Sequence, residues 1–275
     1  MILIKQKLMK VHKLLTRLLA KYYKGWILFY SNKMNLTLLL NMDNSIDYQI
    51  RREGVYEEET IDCMSQLFHE RSIKYFFDIG SNIGEMSLYV AKNYPNVEVY
   101  AFEPIDFNFY QQHMHKIINK LNYSLEQKAI LNRNGQVNFY LPNTINDGVD
   151  LNKFNSGNPS IYFDKYKKKD TKVTVEGIAF DSYLQSKKIA LRGDVLIKID
   201  VEGAEAKVIE GMKNMLRKSH PVFIIMEIDF DIDCKAKEKM IDFLYHYNFK
   251  SYDLKFVPIQ KITNYKKDNF LFIKE

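Results

Sequence analysis

Residues 74–94 read KYFFDIGSNIGEMSLYVAKNY. An apolar run ends at Asp78 and Gly80, a short turn holds Asn82 and Gly84, and a stretch with helical spacing follows. Strand, glycine turn and helix in that order open a βαβ unit. In open α/β sheets a ligand sits beyond the carboxyl ends of the strands, where the strand order reverses. Glycines at such a turn leave backbone N–H groups open to that ligand. The next apolar strand, VEVYAFEP (97–104), ends in Glu103, nineteen residues after Gly84. A carboxylate there is placed to accept both hydroxyl hydrogens of a ribose.

The turn departs from the dinucleotide pattern GxGxxG, because Asn82 stands at the second glycine position. That disfavours close contact with a pyrophosphate and suits an adenosine ligand without one. No GxxxxGK[ST] loop is present, which argues against a nucleoside triphosphatase.

Outward from this unit the alternation continues. EEETIDCMSQLFHE (57–70) reads as a helix, NFYQQHMHKIINK (108–120) as another, and SLEQKAI (124–130) contains a strand. Residues 135–180 break the rhythm, with QVNFYL and KVTVEGIAF as hairpin strands around a polar, Lys-rich insert. DVLIKIDVEG (194–203) is a buried strand, AEAKVIEGMKNMLRK (204–218) a helix, PVFIIMEID (221–229) a strand and AKEKMIDFLYHYN (236–248) a helix. KSYDLKFVP and NFLFIKE close the chain as an antiparallel pair. Near-continuous apolar strands suit a mainly parallel, doubly wound α/β sheet covered on both faces.

The chain of 275 residues, 46% hydrophobic and 27% charged, is long enough to bury a large core, and its apolar runs are too short to span a bilayer. Cys63 and Cys234 form no framework, and the six histidines show no zinc spacing; the reading is a reducing, cytoplasmic compartment. Eight of the 40 basic residues fall in residues 1–42 and none of the 34 acids does, so the remaining 32 basic side chains face all 34 acids. A broad basic body for nucleic acid is therefore not expected.

Ile4, Leu8, Val11, Leu15, Leu18, Leu19, Tyr22 and Trp26 recur at helical spacing beside a track of lysines and Arg17. This predicts a basic amphipathic helix ending near Gly25, followed by two short strands, NLTLLL (35–40) and SIDYQIRR (45–52). Two readings stand for the helix. It packs its leucines on the body or on a second subunit, or residues 1–30 lie on an anionic membrane surface at its cytoplasmic face. The expected organisation is a helix-and-hairpin unit over 1–50 and a catalytic domain over 51–275, with the insert at 135–180.

FFDIGSNIG with FEP, VLIKIDVEGAEAKVIEGM (195–212) and PVFIIMEI (221–228) resemble the FkbM-type S-adenosylmethionine-dependent methyltransferases, over roughly residues 55–250. The resemblance implies a Rossmann-like class I methyltransferase fold, a seven-stranded sheet with an antiparallel last strand. It also implies that Asp78, Gly80, Asn82 and Gly84 cradle the amino-acid end of S-adenosylmethionine and that Glu103 holds the ribose. Pro104, Ile105, Gln127 and Ala129 would border adenine.

Alternation puts Lys198 and Asp200 on one side of their strand, and a lysine in so apolar a run calls for a carboxylate partner. Glu227 ends the following strand in the equivalent place, so both acids face one rim. Methyl transfer needs an aligned acceptor and a proton acceptor. Asp200 is the first candidate, with Glu202 and Glu205 next; Glu205 alternatively charges the first turn of its helix. A divalent metal held by Asp200 and Glu227 is the alternative arrangement. The DVEG loop lacks the proline-rich motif of amino-methylating enzymes, and neither cysteine follows a proline, which leaves a hydroxyl acceptor. The resemblance points to a sugar, glycan or nucleotide sugar. Tyr162, Phe163, Tyr166 and the Lys165–Lys169 run in the insert are candidates for acceptor contacts or a solvated loop. The competing functions are a NAD-dependent dehydrogenase, which lacks its Tyr-x-x-x-Lys pair here, and a cofactor-binding module without catalysis.

Overall fold

The computed structural model describes residues 25–141, 171–218 and 220–275. The N-terminal helix expected before Gly25 and the aromatic and lysine residues of the insert lie outside them. The chain begins with strands β1 (Trp26–Ser31) and β2 (Leu36–Asn41), then helices α1 (Ser45–Glu53) and α2 (Glu58–Glu70). The βαβ core follows as β3 (Ile73–Ile79), α3 (Glu85–Asn93), β4 (Glu98–Phe102), α4 (Asp106–Ile118) and β5 (Ser124–Glu126). After β6 (Ala129–Leu131), β7 (Gly135–Leu141), β8 (Thr171–Ala179) and α5 (Phe180–Ser186), the core resumes with β9 (Asp194–Ile199). The last elements are α6 (Glu205–Gly211), α7 (Lys213–Leu216), β10 (Val222–Asp229), α8 (Cys234–His246), β11 (Lys250–Tyr252) and β12 (Lys267–Lys274).

Seven strands form one sheet in the order β5-β4-β3-β9-β10-β12-β11. The first five of these are mutually parallel, and β12 runs antiparallel to both β10 and β11. The expected parallel sheet with an antiparallel last strand is therefore present. The chain builds outward from β3 in one direction and returns to β9 on the other side, so the reversal of order falls between β3 and β9. Alternation splits the strands between two cores. Phe77, Ile197 and Ile224 pack with Phe180, Val208 and Leu244, while Phe76, Leu196 and Phe223 pack with Met64, Leu67 and Leu88.

Four local expectations are corrected. SIDYQIRR is helix α1, not a strand: Asn44 caps it by accepting from Ile46 N at 2.9 Å, Gly54 ends it at φ +84°, and Ile46 and Ile50 bury one face. The hairpin instead pairs β2 with WILFYS, which places Trp26 on a strand. SLEQKAI splits, with Leu125 in the main sheet and Ala129–Leu131 in a second sheet of order β6-β8-β7, where β7 and β8 are the expected antiparallel pair. Residues 204–218 form two short helices because Gly211, a weak helix former, sits against β6, where a Cβ would stand 1.9 Å from the carbonyl oxygen of Leu131.

The hairpin docks on α4 through a polar stripe four residues apart. Gln111 Nε2 and His115 Nε2 reach Leu39 O at 3.0 and 2.9 Å, and Asn119 exchanges hydrogen bonds with both backbone groups of Thr37. His115 Nδ1 also lies 2.9 Å from Ile83 O, which ties the hairpin to the glycine turn. Among the described residues no helix is long and apolar enough to cross a membrane.

Candidate active site

The ends of β3 and β9 meet at the reversal of strand order. Asp200 N donates to Ile79 O at 3.0 Å, while Gly80 N and Ser81 N both donate to Phe102 O at 3.0 Å. Gly80 has φ +81°, and a Cβ there would stand 1.9 Å from the carbonyl oxygen of Asp200. The glycine is thus demanded by the crossing of two backbones, beyond any approach of a ligand. Gly84, at φ +88°, opens α3 against the side chain of Gln112, which a Cβ would meet at 2.4 Å.

Two lobes open at this crossing and share Gly80, Asn82, Asp200 and Glu202. The first, of about 590 Å³ and partly open to solvent, is walled by Phe102, Glu103, Pro104, Ile105, Ala129, Ile130 and Phe139. The second, of about 890 Å³, is polar and includes Tyr56, Glu57, Asp78, Glu85, Lys198, Glu227 and Lys267.

Asp78 is buried at the end of β3. Its Oδ2 accepts from Ser87 N at 3.1 Å and Ser87 Oγ at 2.5 Å, while its buried Oδ1 has no hydrogen-bond partner. Burial, with Lys198 pulling the other way, raises this carboxyl to about 6. Glu103 is equally enclosed: Asn82 N and Ile105 N donate to its two oxygens at 2.8 and 2.9 Å, and burial raises it to about 7. Asn82 takes the left-handed conformation at φ 51°, which turns its N–H to Glu103. Gln127 is not among the lining residues; its amide donates to Asp106, and Lys128 and Ala129 line the lobe in its place.

Lys198 and Asp200 pair at 3.0 Å, as strand alternation requires, and Lys198 also reaches Glu57 Oε1 at 3.3 Å. Burial alone would lower the Lys198 ammonium, but Asp200, Glu57 and Asp78 outweigh it and hold it well above its ordinary value. Glu227 accepts from Lys267 at 3.1 Å. Burial and then the Asp200 charge raise Glu227 to about 7, against the pull of Lys267. One carboxylate oxygen from each of Asp200, Glu202 and Glu227 lies within 4.8 Å of the other two, a spacing that admits a metal ion. Glu205, by contrast, points into the protein. It accepts from Gly203 N at 2.7 Å and pairs with the fully buried Lys237 at 3.2 Å, so it holds the DVEG loop in shape.

The family model for the Methyltransferase FkbM domain matches residues 78–251, from Asp78 through both acid-bearing strand ends. The chain belongs to that family. It is a methyltransferase, and the FkbM domain takes in the glycine turn, Glu103, the DVEG loop and Glu227. No curated protein matches the sequence. Solved structures similar to this chain include Pyrococcus abyssi tRNA (uracil-54, C5)-methyltransferase in complex with S-adenosyl-L-homocysteine, at 10% identity over 91% of this chain and 44% of that one, TM-score 0.44. Precorrin-6y C5,15-methyltransferase from Geobacter metallireducens GS-15 is 13% identical over 80% and 86% of the two chains, TM-score 0.41. M. jannaschii TYW2 in complex with AdoMet is 9% identical over 91% and 85%, TM-score 0.43. The chain spans less than half the length of the tRNA methyltransferase.

The first lobe fits the nucleoside of S-adenosylmethionine, the cofactor of FkbM methyltransferases. It offers an apolar slot and a buried carboxylate, and the unpartnered oxygen of Asp78 beside it matches an ammonium group.

Proposed function

We propose that this FkbM methyltransferase transfers the methyl group of S-adenosylmethionine to a hydroxyl of a sugar, a glycan or a nucleotide sugar. The observation that carries the reading is the meeting of three carboxylates, Asp200, Glu202 and Glu227, where the nucleoside lobe opens into a polar lobe. When bound, S-adenosylmethionine supplies a methyl group on a sulfonium and leaves as a thioether. Asp78, Gly80, Asn82 and Gly84 would hold its methionine end, Glu103 would accept from its ribose, and Pro104, Ile105 and Ala129 would enclose adenine.

On the acceptor side Asp200, held by Lys198, orients the hydroxyl. Glu227 takes the proton that leaves the oxygen as the O–CH₃ bond forms. A carboxyl near 7 is divided between its two forms at neutrality and is suited to that exchange. The tyrosine and carboxylates of the second lobe suit a polyhydroxyl acceptor, whose hydroxyls donate to them. The test is transfer of a labelled methyl group to a panel of free sugars, glycans and nucleotide sugars. Labelling of an oxygen, lost in Asp200→Asn, is the expected result; labelling confined to nitrogen or carbon overturns the reading.

A further inference from the structure

We infer that the acceptor is a saccharide chain of at least two units, neutral or amino-bearing, and that nucleotide sugars and uronates are excluded; the inference rests on the hydroxyl-transfer reading above and narrows it. A third cavity, of about 1020 Å³ and open to solvent, adjoins the polar lobe, and Tyr56 and Glu57 line both. It lies between the start of α2, the turn after β11 and strand β12, with Thr60, Tyr265, Asp268 and Asn269 on its walls. The register of β10 with β12 sets Asn269 directly across from Glu227. Opposed residues of antiparallel strands share a face, so the cavity begins one strand away from the proposed proton acceptor. A whole small-ligand pocket takes about 300–1,000 Å³. Each of the two spaces is near that size, and together they suit a chain.

Two tyrosines stand where a second sugar would lie. Tyr56 and Tyr265 are 38% and 40% exposed, and both are held in place. Tyr56 N donates to the buried Glu85 at 2.7 Å, and the Tyr265 ring stands edge-on to Phe270 with centroids 5.3 Å apart. A tyrosine offers an apolar face to the C–H face of a sugar ring and a hydroxyl to its rim. Glu57, at the seam of the two spaces, has Oε1 on Lys198 at 3.3 Å, while its buried Oε2 has no hydrogen-bond partner. A hydroxyl or ammonium donor lying across the seam would satisfy it.

Charge decides which saccharides fit. Five acids line the third cavity and six the polar lobe, Glu57 being common to both, against three lysines and no arginine. Each lysine is already engaged: Lys198 by Asp200 and Glu57, Lys267 by Glu227, and Lys255 by Glu59 at 3.6 Å. Among the described residues the cleft thus offers a phosphate or a carboxylate no unengaged cation, and it surrounds either with like charge. Neutral hydroxyls donate to those carboxylates, and an ammonium is attracted.

The test is labelled methyl transfer to matched acceptors built on one sugar: the methyl glycoside, the disaccharide, the uridine diphosphate sugar and the uronic-acid disaccharide, in glucose, galactose and glucosamine series. The disaccharide should exceed the methyl glycoside about tenfold in kcat/KM, through KM, because the second unit binds away from the reacting oxygen. The anionic acceptors should trail by about a hundredfold at low salt and by less at high salt. Tyr265→Ala should remove the gain from the second unit, with an unchanged melting curve as the control for folding. Asp268→Lys with Glu59→Gln, both at exposed positions, should narrow the gap to the uronic-acid disaccharide about tenfold. An anionic acceptor labelled as well as the neutral chain, a disaccharide no better than its monomer, or a gap unmoved by the charge substitutions overturns this inference and leaves hydroxyl transfer standing. Labelling confined to nitrogen or carbon, or no labelling, overturns the reading beneath it.

Discussion

The carbonyl oxygen of Asp200 occupies the space where any residue but glycine at position 80 would place its Cβ, 1.9 Å away. The glycine turn after β3 and the turn that bears Asp200 are thus one packed unit, tied again by Asp200 N to Ile79 O. Gly80→Ala must move one backbone off the other and adopt φ +81° as well. The expected cost is about 2–3 kcal/mol of stability together with loss of S-adenosylhomocysteine binding. Thermal melting with and without the ligand measures both, and a variant that binds normally would show that the two turns are independent.

Lys198 answers two carboxylates, Asp200 at 3.0 Å and Glu57 at 3.3 Å. Removing the cation leaves like charges facing each other in a half-buried site. Lys198→Met should therefore destabilise by about 3 kcal/mol. Glu57→Gln in the same background should recover about 1 kcal/mol or more, a coupling that a double-mutant cycle in urea measures directly.

As the proposed proton acceptor, Glu227 should set the acid limb of the rate profile. With its carboxyl near 7, the basic form declines as pH falls, so kcat/KM should drop about tenfold per unit below that point. The limb belongs to the carboxylate cluster and not to one group, because Asp200 contributes to the shift. Glu227→Gln should flatten it and slow turnover by about 10²–10⁴.

What was legible in the sequence follows from where chemistry sits in such a sheet. Asp78, Glu103, Asp200 and Glu227 all lie at or beside the carboxyl ends of strands; alternation places Lys198 beside Asp200, and the parallel pairing of β9 with β10 brings Asp200 to Glu227. Glu57, Lys267 and Phe139 come from elements far off in the chain, and no local spacing marks them. Glu205 had a helix-start reading beside its catalytic one; its buried partner Lys237, thirty-two residues on, decides for structure. SIDYQIRR failed for another reason: Ile46 and Ile50 satisfy both a period of two and a helical step of four, and only the Asn44 cap and the Gly54 stop separate the two.

Asp200, Glu202 and Glu227 have metal-like spacing, yet Lys198 already pairs with Asp200 and Lys267 lies beside both Glu227 and Glu202. Dialysis against EDTA should leave methyl transfer intact. Lys267→Met, which strips one of those cations, should raise the affinity of the cluster for Mg²⁺, read by calorimetry. Wild-type activity that disappears with EDTA and returns with Mg²⁺ would make the cluster a metal centre.

Glu103 should link pH to both stability and cofactor binding. Its carboxyl is raised in the folded protein to about 7 from an ordinary 4.5, so the folded state binds the extra proton. The stabilisation is complete below the ordinary value and is lost as pH rises through 7. Between pH 5 and 8 the wild type should lose about 2–3 kcal/mol relative to Glu103→Gln, which does not titrate. That variant pays a constant cost, since an amide has one oxygen for the two N–H groups of Asn82 and Ile105. Ribose hydroxyls donate more strongly to a carboxylate than to a carboxylic acid. S-adenosylhomocysteine should therefore bind the wild type more tightly as pH rises over the same window, and bind the glutamine variant with no such trend. Calorimetric titrations at pH 5.5 and 8 decide it; parallel affinities in the two proteins would remove Glu103 from the ribose.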